Sequence, residues 1–365
     1  MGYRVIRSQI LLVFGALISP LAVAALDDIR LPPGFTIEVY ADVPKARSLA
    51  LGDRGTLFVS TRRSRSVYAV VENDDGSTRT IEILQGMSTP NGIAFHDGDL
   101  YVAEIDRVFR YPNAEDHLDA MPEGELLAID LPSDSHHGWR YIGFGPDDML
   151  YIAIGAPCNV CDEPGFAQII RVNVDGSGRE VFASGVRNSV GLTWHPETGE
   201  LWFTDNGRDM MGDDIPPCEL NHAPRKGMHF GFPYCHGGDI PDPKFGAQRS
   251  CEDFTPPARR LGPHVAPLGL RFYTGNMFPP EYRGQLFIAE HGSWNRSKKI
   301  GYRVTLVKLD GDRAVSYEPF AEGWLQNEQF SGRPVDLLVK EDGSLLVSDD
   351  HAGKIYRIAY TGDSE

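Results

Sequence analysis

Asn91-Gly-Ile-Ala-Phe-His-Asp-Gly-Asp-Leu-Tyr-Val-Ala-Glu104 is the stretch whose reading decides the fold. Two short apolar strands flank the turn chemistry of Asp97-Gly98, and an acid closes the second, which is the signature of a β-hairpin. The phrase recurs along the chain. Arg47-Ser-Leu-Ala-Leu-Gly-Asp-Arg-Gly-Thr-Leu-Phe-Val-Ser60 precedes it, and Tyr141-Ile-Gly-Phe-Gly-Pro-Asp-Asp-Met-Leu-Tyr-Ile-Ala-Ile-Gly155 follows. Further copies begin at Val190, Leu268 and Val335 and end at Asp205, Glu290 and Asp349. Several run on into a third strand, as in Val108-Phe-Arg-Tyr111, Ile169-Ile-Arg-Val172 and Ile355-Tyr-Arg-Ile358. The early copies are about 45 residues apart, the length of one four-stranded propeller blade. Six copies predict an all-β fold, a six-bladed β-propeller forming one domain over residues 25–365. The extra length between Asp205 and Leu268, and between Glu290 and Arg333, reads as inserted loops. A two-sheet sandwich does not predict this repeat.

The chain has 365 residues, 41% hydrophobic and 24% charged, with 39 Gly and 26 Pro. That is globular material rich in turns. Its formal charge of −16 becomes −18 without the two arginines of the first 24 residues, so its general field excludes nucleic acid as partner. Those 24 residues read as a signal peptide: Arg4 and Arg7, an apolar run over 10–18, then Ala22-Val-Ala24 as a cleavage site. The run is well short of the ~20 residues that a membrane-spanning helix needs. A periplasmic or secreted location follows, where thiols oxidise.

Five cysteines remain. Cys158-Asn-Val-Cys161 has the spacing of a redox pair or half a zinc site, but no second such pair follows, and Asp162 stands where a haem motif needs His. We favour disulfides Cys158–Cys161 and Cys235–Cys251 with Cys218 left over, although spacing alone does not settle connectivity.

In a propeller the residues just before each inner strand gather around one mouth of the central channel. Here they are Arg47, Asn91, His137, Arg187-Asn188, Pro267 and Arg333. Three arginines converging in an acidic chain repel one another unless a multivalent anion or nearby acids lie among them. The competing reading pairs each arginine with a local acid on the rim. His137 and its neighbour His136 are both candidates for proton chemistry, and a lone His is more often a satisfied polar residue. Asp205-Asn-Gly207-Arg208 with Asp213, Asp214, Glu219 and Asn221 is oxygen-rich and suited to calcium, or else a solvated acidic loop.

His137 before Phe144-Gly-Pro-Asp147, Gly185-Val-Arg-Asn188, Asp205-Asn-Gly207 and Gly332-Arg-Pro-Val-Asp336 resemble the soluble quinoprotein glucose/sorbosone dehydrogenase family. Gly155-Ala-Pro-Cys-Asn-Val-Cys161, Gly231-Phe-Pro-Tyr-Cys-His-Gly-Gly238 and Glu290-His-Gly-Ser-Trp-Asn-Arg296 are similar to its sorbosone dehydrogenase-like branch. The resemblance covers residues 31–360. It implies a pyrroloquinoline quinone (PQQ) cofactor with calcium over the channel mouth and oxidation of an aldose or sugar aldehyde. It assigns His137 as base, Arg187 and Asn188 as cofactor and substrate contacts, Arg333 as a carboxylate clamp, and the Gly207 and Arg208 carbonyls to calcium; Arg47, by its place at the mouth, is a further candidate to bind the cofactor. Asp213, Asp214 and Glu219 are candidates for a second calcium. The chain departs from the family pattern at Ala156, where an acid supporting the histidine is expected, at Val335, where a second clamp arginine is expected, and at Arg208 in place of Pro. His291, Arg296, Lys298 and Arg303 are the candidates to replace that clamp. With no haem motif, electrons pass to a separate carrier, a cytochrome or similar. The rival readings are a calcium-dependent sugar lactonase, which calls for Glu and Asn around the channel, and a secreted binding propeller without catalysis.

Overall fold

The computed structural model describes residues 26–362, so the expected signal peptide lies outside the described residues. Six sheets, antiparallel but for one added parallel strand and three of them built from consecutive strands alone, stand radially around one axis. The inner strands are Ala46–Leu51, Gly92–His96, Ile142–Phe144, Leu192–Trp194, Pro267–Phe272 and Pro334–Val339. Each pairs with a second strand, respectively Leu57–Thr61, Asp99–Ala103, Leu150–Ile154, Leu201–Asp205, Leu286–Glu290 and Leu345–Asp349. These are the two strands of each repeat, and the six-bladed propeller expected from the sequence is the observed fold.

All five residues of every second strand are buried. A strand covered on both faces by neighbouring blades has no solvent side, which is why these segments read as unbroken apolar runs rather than alternating ones. Core clusters between blades show the same thing: Phe58, Leu100 and Val102 pack together across the first and second blades, and Trp202, Leu270 and Ile288 across the fourth and fifth. Where inner strands converge there is no room for a side chain; a Cβ on Gly191 would lie 2.1 Å from the Leu268 carbonyl oxygen.

Ring closure was not foreseen from the repeats. Phe35–Asp42 pairs antiparallel with Lys354–Tyr360, so the N-terminal strand is the outermost strand of the sixth blade. The insertion after Glu219–Ala223 adds Met228–His229 in parallel to Glu180–Ser184 of the third blade. It contains the Cys235–Cys251 disulfide; Cys158–Cys161 forms the second, and Cys218 is free and buried. Much of the length between Glu290 and Arg333 is strand rather than loop, since Arg303–Asp310 and Arg313–Glu322 are the long outer strands of the fifth blade. No described helix is long and apolar enough to cross a membrane.

Candidate functional site

Antiparallel order places the heads of the inner strands and the loops after the second strands at the same end of the ring. There they enclose a cavity of ≈ 360 Å³. A cavity of similar size, ≈ 370 Å³, lies at the other ends of the inner strands, walled by Leu49, Phe95, Phe144, Trp194 and Val339, with Arg271 the one charge in its lining. Between them sits the buried Asp336, which accepts from the main-chain N–H groups of Leu49 and Leu337, each at 2.9 Å. Size does not distinguish the two cavities; chemistry does.

The first is lined by Arg47, Arg62, Arg187 and Arg333 against a single acid, Asp209, together with His136, His137, His264 and His291. A side chamber of ≈ 170 Å³ shares Arg47, Arg62, His291 and Arg333 and adds Lys45, Arg63, His351 and Asp350. Arg47 donates from Nε to Asn91 Oδ1 and from Nη1 to Asp350 Oδ2, both at 3.0 Å. Asp350 also meets His291 Nε2 at 2.8 Å, and this hydrogen bond together with the Arg47 and Arg333 charges holds its carboxyl far below the usual range despite burial. Burial and weak solvation push His291 down to about 4.

Arg333 donates to the carbonyls of His291 and Gly292 and lies over the Tyr302 and Phe330 rings, with no acid paired to its guanidinium among the described residues. Arg62 is stacked 4.4 Å from the Trp139 ring centroid and forms no ion pair among the described residues. Burial first, and then Arg47 and Arg63, lower its pKa to about 10. Cations that depress one another at the wall of a half-open cavity in a protein of charge −16 are suited to an anion.

Two of these arginines are placed by the same device. Leu201–Asp205 and Leu345–Asp349 each end in an aspartate that accepts the main-chain N–H at the head of the adjacent inner strand: Asp205 from Arg187 at 2.7 Å and Asn188 at 2.6 Å, Asp349 from Arg333 at 3.0 Å. Burial and the Glu219 charge raise Asp205 to about 7.

His137 has φ 48°, the left-handed region that non-glycine residues seldom occupy, and its Nδ1 is 2.9 Å from the Ala156 carbonyl oxygen. Burial, the Arg187 charge and His136 lower its pKa to about 2. The imidazole is therefore neutral, with Nδ1–H donating to Ala156 and Nε2 left as acceptor.

Arg187 lines the cavity, yet all five of its N–H groups are spent on the protein: Nε and Nη2 on Asn159, Nη2 also on Asp209, and Nη1 on the carbonyls of Asn206 and Gly207. It offers a fixed charge rather than free donors. Asn188, Gly207 and His291 are likewise in the lining.

Other sequence candidates are not brought here. Arg296 donates to Asp213, Asp214 and Lys298, and Arg303 to Glu290. Lys298 is absent from the lining. Arg208 pairs with the buried Asp242 behind the wall. Asp213 and Asp214 are tied up in the Arg296 loop, whereas Glu219 is buried and accepts from Gly237 N–H and Asn221. These three are not gathered, and no group of three His, Cys, Asp or Glu suited to a metal occurs among the described residues.

Arg62, Arg63 and Asp350 escaped the sequence reading, which followed only the heads of inner strands. Their signal was present: each follows a second strand, and those loops reach the same mouth.

A six-bladed propeller with an arginine-walled mouth and a neutral buried histidine is the class that the fold and site define. The chain belongs to the TrAA12-like family, whose model matches residues 29–361. It is 36% identical to an uncharacterized protein of Borreliella burgdorferi, over 94% of this chain and 95% of that one. It is 34% identical to the pyrroloquinoline quinone-dependent pyranose dehydrogenase of Coprinopsis cinerea over 49% of this chain, a match spanning 31% of that longer protein. The holo PQQ domain of the Coprinopsis cinerea pyranose dehydrogenase superposes with a TM-score of 0.77 at 20% identity, covering 91% of this chain and 97% of that one. The calcium structure of the Trichoderma reesei family AA12 enzyme gives 0.78 at 18%, again with 91% and 97% covered. At such identities the structural likeness establishes the fold.

Proposed function

We propose that this protein is a PQQ- and calcium-dependent dehydrogenase that oxidises an aldose or a sugar aldehyde of the sorbosone type and passes the electrons to a separate acceptor. The observation that carries the reading is the charge of the mouth cavity, four arginines against one aspartate, which suits a tricarboxylate. The donor set fits the cofactor: Arg47, Arg62 and Arg333 have guanidinium nitrogens to spare, and ≈ 360 Å³ with an adjoining ≈ 170 Å³ chamber accommodates a flat tricyclic acid. Membership of the TrAA12-like family and the PQQ-dependent relative support it.

When bound, PQQ supplies an o-quinone able to take two electrons from the sugar. The chain's own residues do the rest. Arg47, Arg62 and Arg333 hold carboxylates. His137 Nε2 takes the proton of the reacting hydroxyl, with Nδ1–H anchored on Ala156. Arg187 keeps a positive charge at the cavity wall. Calcium would be held through main-chain carbonyl oxygens, of which that of Gly207, in the cavity lining, already accepts from Arg187 Nη1 and retains a second lone pair, whereas Arg208 is outside the lining. A lactonase reading lacks the acids it needs, since Asp209 is the one acid in the lining and is paired with Arg187. The two disulfides suit a location outside the cytoplasm.

The test is a visible absorption titration of the purified protein with PQQ and calcium, followed by dye reduction with a panel of aldoses. Uptake with sugar-dependent dye reduction is the expected result, and absence of PQQ uptake overturns the reading.

A further inference from the structure

Asn159 stands inside the Cys158–Cys161 disulfide loop, 28 residues before Arg187 and 50 before Asp209. Its main-chain oxygen accepts from Arg187 Nε and its Oδ1 from Arg187 Nη2, both at 2.9 Å. The same Oδ1 accepts the Asp209 N–H at 2.9 Å, while Nδ2 donates to the Asp209 carbonyl at 3.0 Å. One residue thus ties the loop of the third blade to the Arg187 head and the Asp209 loop of the fourth. Both of its partners line the cavity; Asn159 itself does not.

The clip has a local purpose. A disulfide that closes so short a loop removes little chain entropy from the unfolded state compared with one closing a long loop. What it does do is hold a tight turn in which a carbonyl and a carboxamide oxygen of the same residue point at one guanidinium. With two of the five Arg187 donors assigned to Asn159, the arginine has one orientation.

We propose that Asn159, fixed by the Cys158–Cys161 clip, is a positioning residue of this site and sets the place of the Arg187 guanidinium at the cavity wall. As a statement about turnover this rests on the dehydrogenase reading; as a statement about Arg187 it does not.

The experiment therefore has two arms on the full chain. In the first, exchange of the Arg187 Nη2–H and Nε–H groups with solvent is followed by NMR, the signals being assigned with Arg187→Lys, since Nη2 donates to the Asn159 side chain and Nε to its main chain. Asn159→Ala is expected to speed exchange at Nη2 at least tenfold, and the pair Cys158→Ser with Cys161→Ser to do so at both Nη2 and Nε. Asn159→Asp, which keeps the oxygen acceptor for Arg187 Nη2 and the Asp209 N–H and gives up the Nδ2 donation to the Asp209 carbonyl, is expected to stay within about threefold of the parent. In the second arm, PQQ affinity and the kcat and KM of dye reduction are measured. Asn159→Ala is expected to weaken PQQ and lower kcat about tenfold each, with sugar KM changed less than twofold. Adding the serine pair to Asn159→Ala is expected to cost nothing further, because the clip acts through Asn159. Unchanged Arg187 exchange in both Asn159→Ala and the serine pair overturns the proposal, as does full additivity of the two changes. If Asn159→Ala does not fold, Asn159→Gln, which displaces the amide by one methylene, replaces it under the same criteria. If the parent protein takes up no PQQ, the dehydrogenase reading falls and the exchange arm alone decides.

Discussion

Nδ1 of His137 lies 2.9 Å from the carbonyl oxygen of Ala156. Family resemblance calls for an acid at position 156 to orient the histidine, and alanine there looks like a missing part. The main chain supplies the acceptor instead. A neutral carbonyl fixes the ring and its tautomer without the charge that would favour imidazolium, so the ring stays a neutral acceptor.

Replacing His137 with Ala is expected to lower kcat by roughly 10²–10⁴, the range for losing a positioned base, while PQQ remains bound. The His136 ring lies 4.1 Å away, centroid to centroid and tilted by 60°, and is exposed, so His136→Ala is expected to do much less. Dye-reduction kinetics beside a PQQ titration separate the two. A crippled His136 variant with an active His137 variant would mean that the roles are exchanged.

Acidity provides a second check. In the cofactor-free protein, burial and Arg187 hold His137 down to about 2, so its ring carbon signals are expected to show no titration between pH 8 and 4. The sign for stability follows. The unfolded chain binds a proton at His137 near pH 6.5 and the folded one does not, so this residue's contribution is complete above that pH and is lost progressively as pH falls toward the folded value. His291, at about 4, acts in the same direction. An NMR midpoint near 6.5 for His137 would contradict the environment described.

Arg62→Ala and Arg333→Ala are each expected to weaken PQQ binding by about 1.5–3 kcal/mol, the net worth of a hydrogen bond to a charged group. Because Arg62 pairs with no acid among the described residues, its removal is expected to leave the Tm of the cofactor-free protein unchanged or slightly higher. Arg296→Ala, whose guanidinium is spent on the Asp213–Asp214 loop, is expected to leave PQQ affinity alone. Equal losses in all three titrations would dissolve the distinction between cavity and loop.

Chelation is expected to release or misplace the cofactor and abolish dye reduction, with calcium restoring both, since carbonyl oxygens suit a hard cation. Full turnover by protein shown by elemental analysis to be free of calcium removes the metal from the reaction.

The repeat that begins with Asn91 was enough, by itself, to determine six blades, the channel and which residues stand at its mouth, because strand period and turn chemistry are local properties written every ~45 residues. Arg47, His137, Arg187 and Arg333 were legible on that ground. What the sequence could not show was how each charge is spent. Arg47 meets Asp350 across 303 residues, Arg333 meets His291 across 42, and Arg187 is saturated by Asn159, Asn206, Gly207 and Asp209. Closure of the ring by Phe35–Asp42 on Lys354–Tyr360 brings the first and sixth blades side by side. That juxtaposition sets Arg62 in one chamber with Arg333 and Asp350, while the Asp213–Asp214 loop holds Arg296 outside it, for the partner of a buried charge is chosen by whichever acceptor the packed blades leave within ~3 Å, and no local period encodes it.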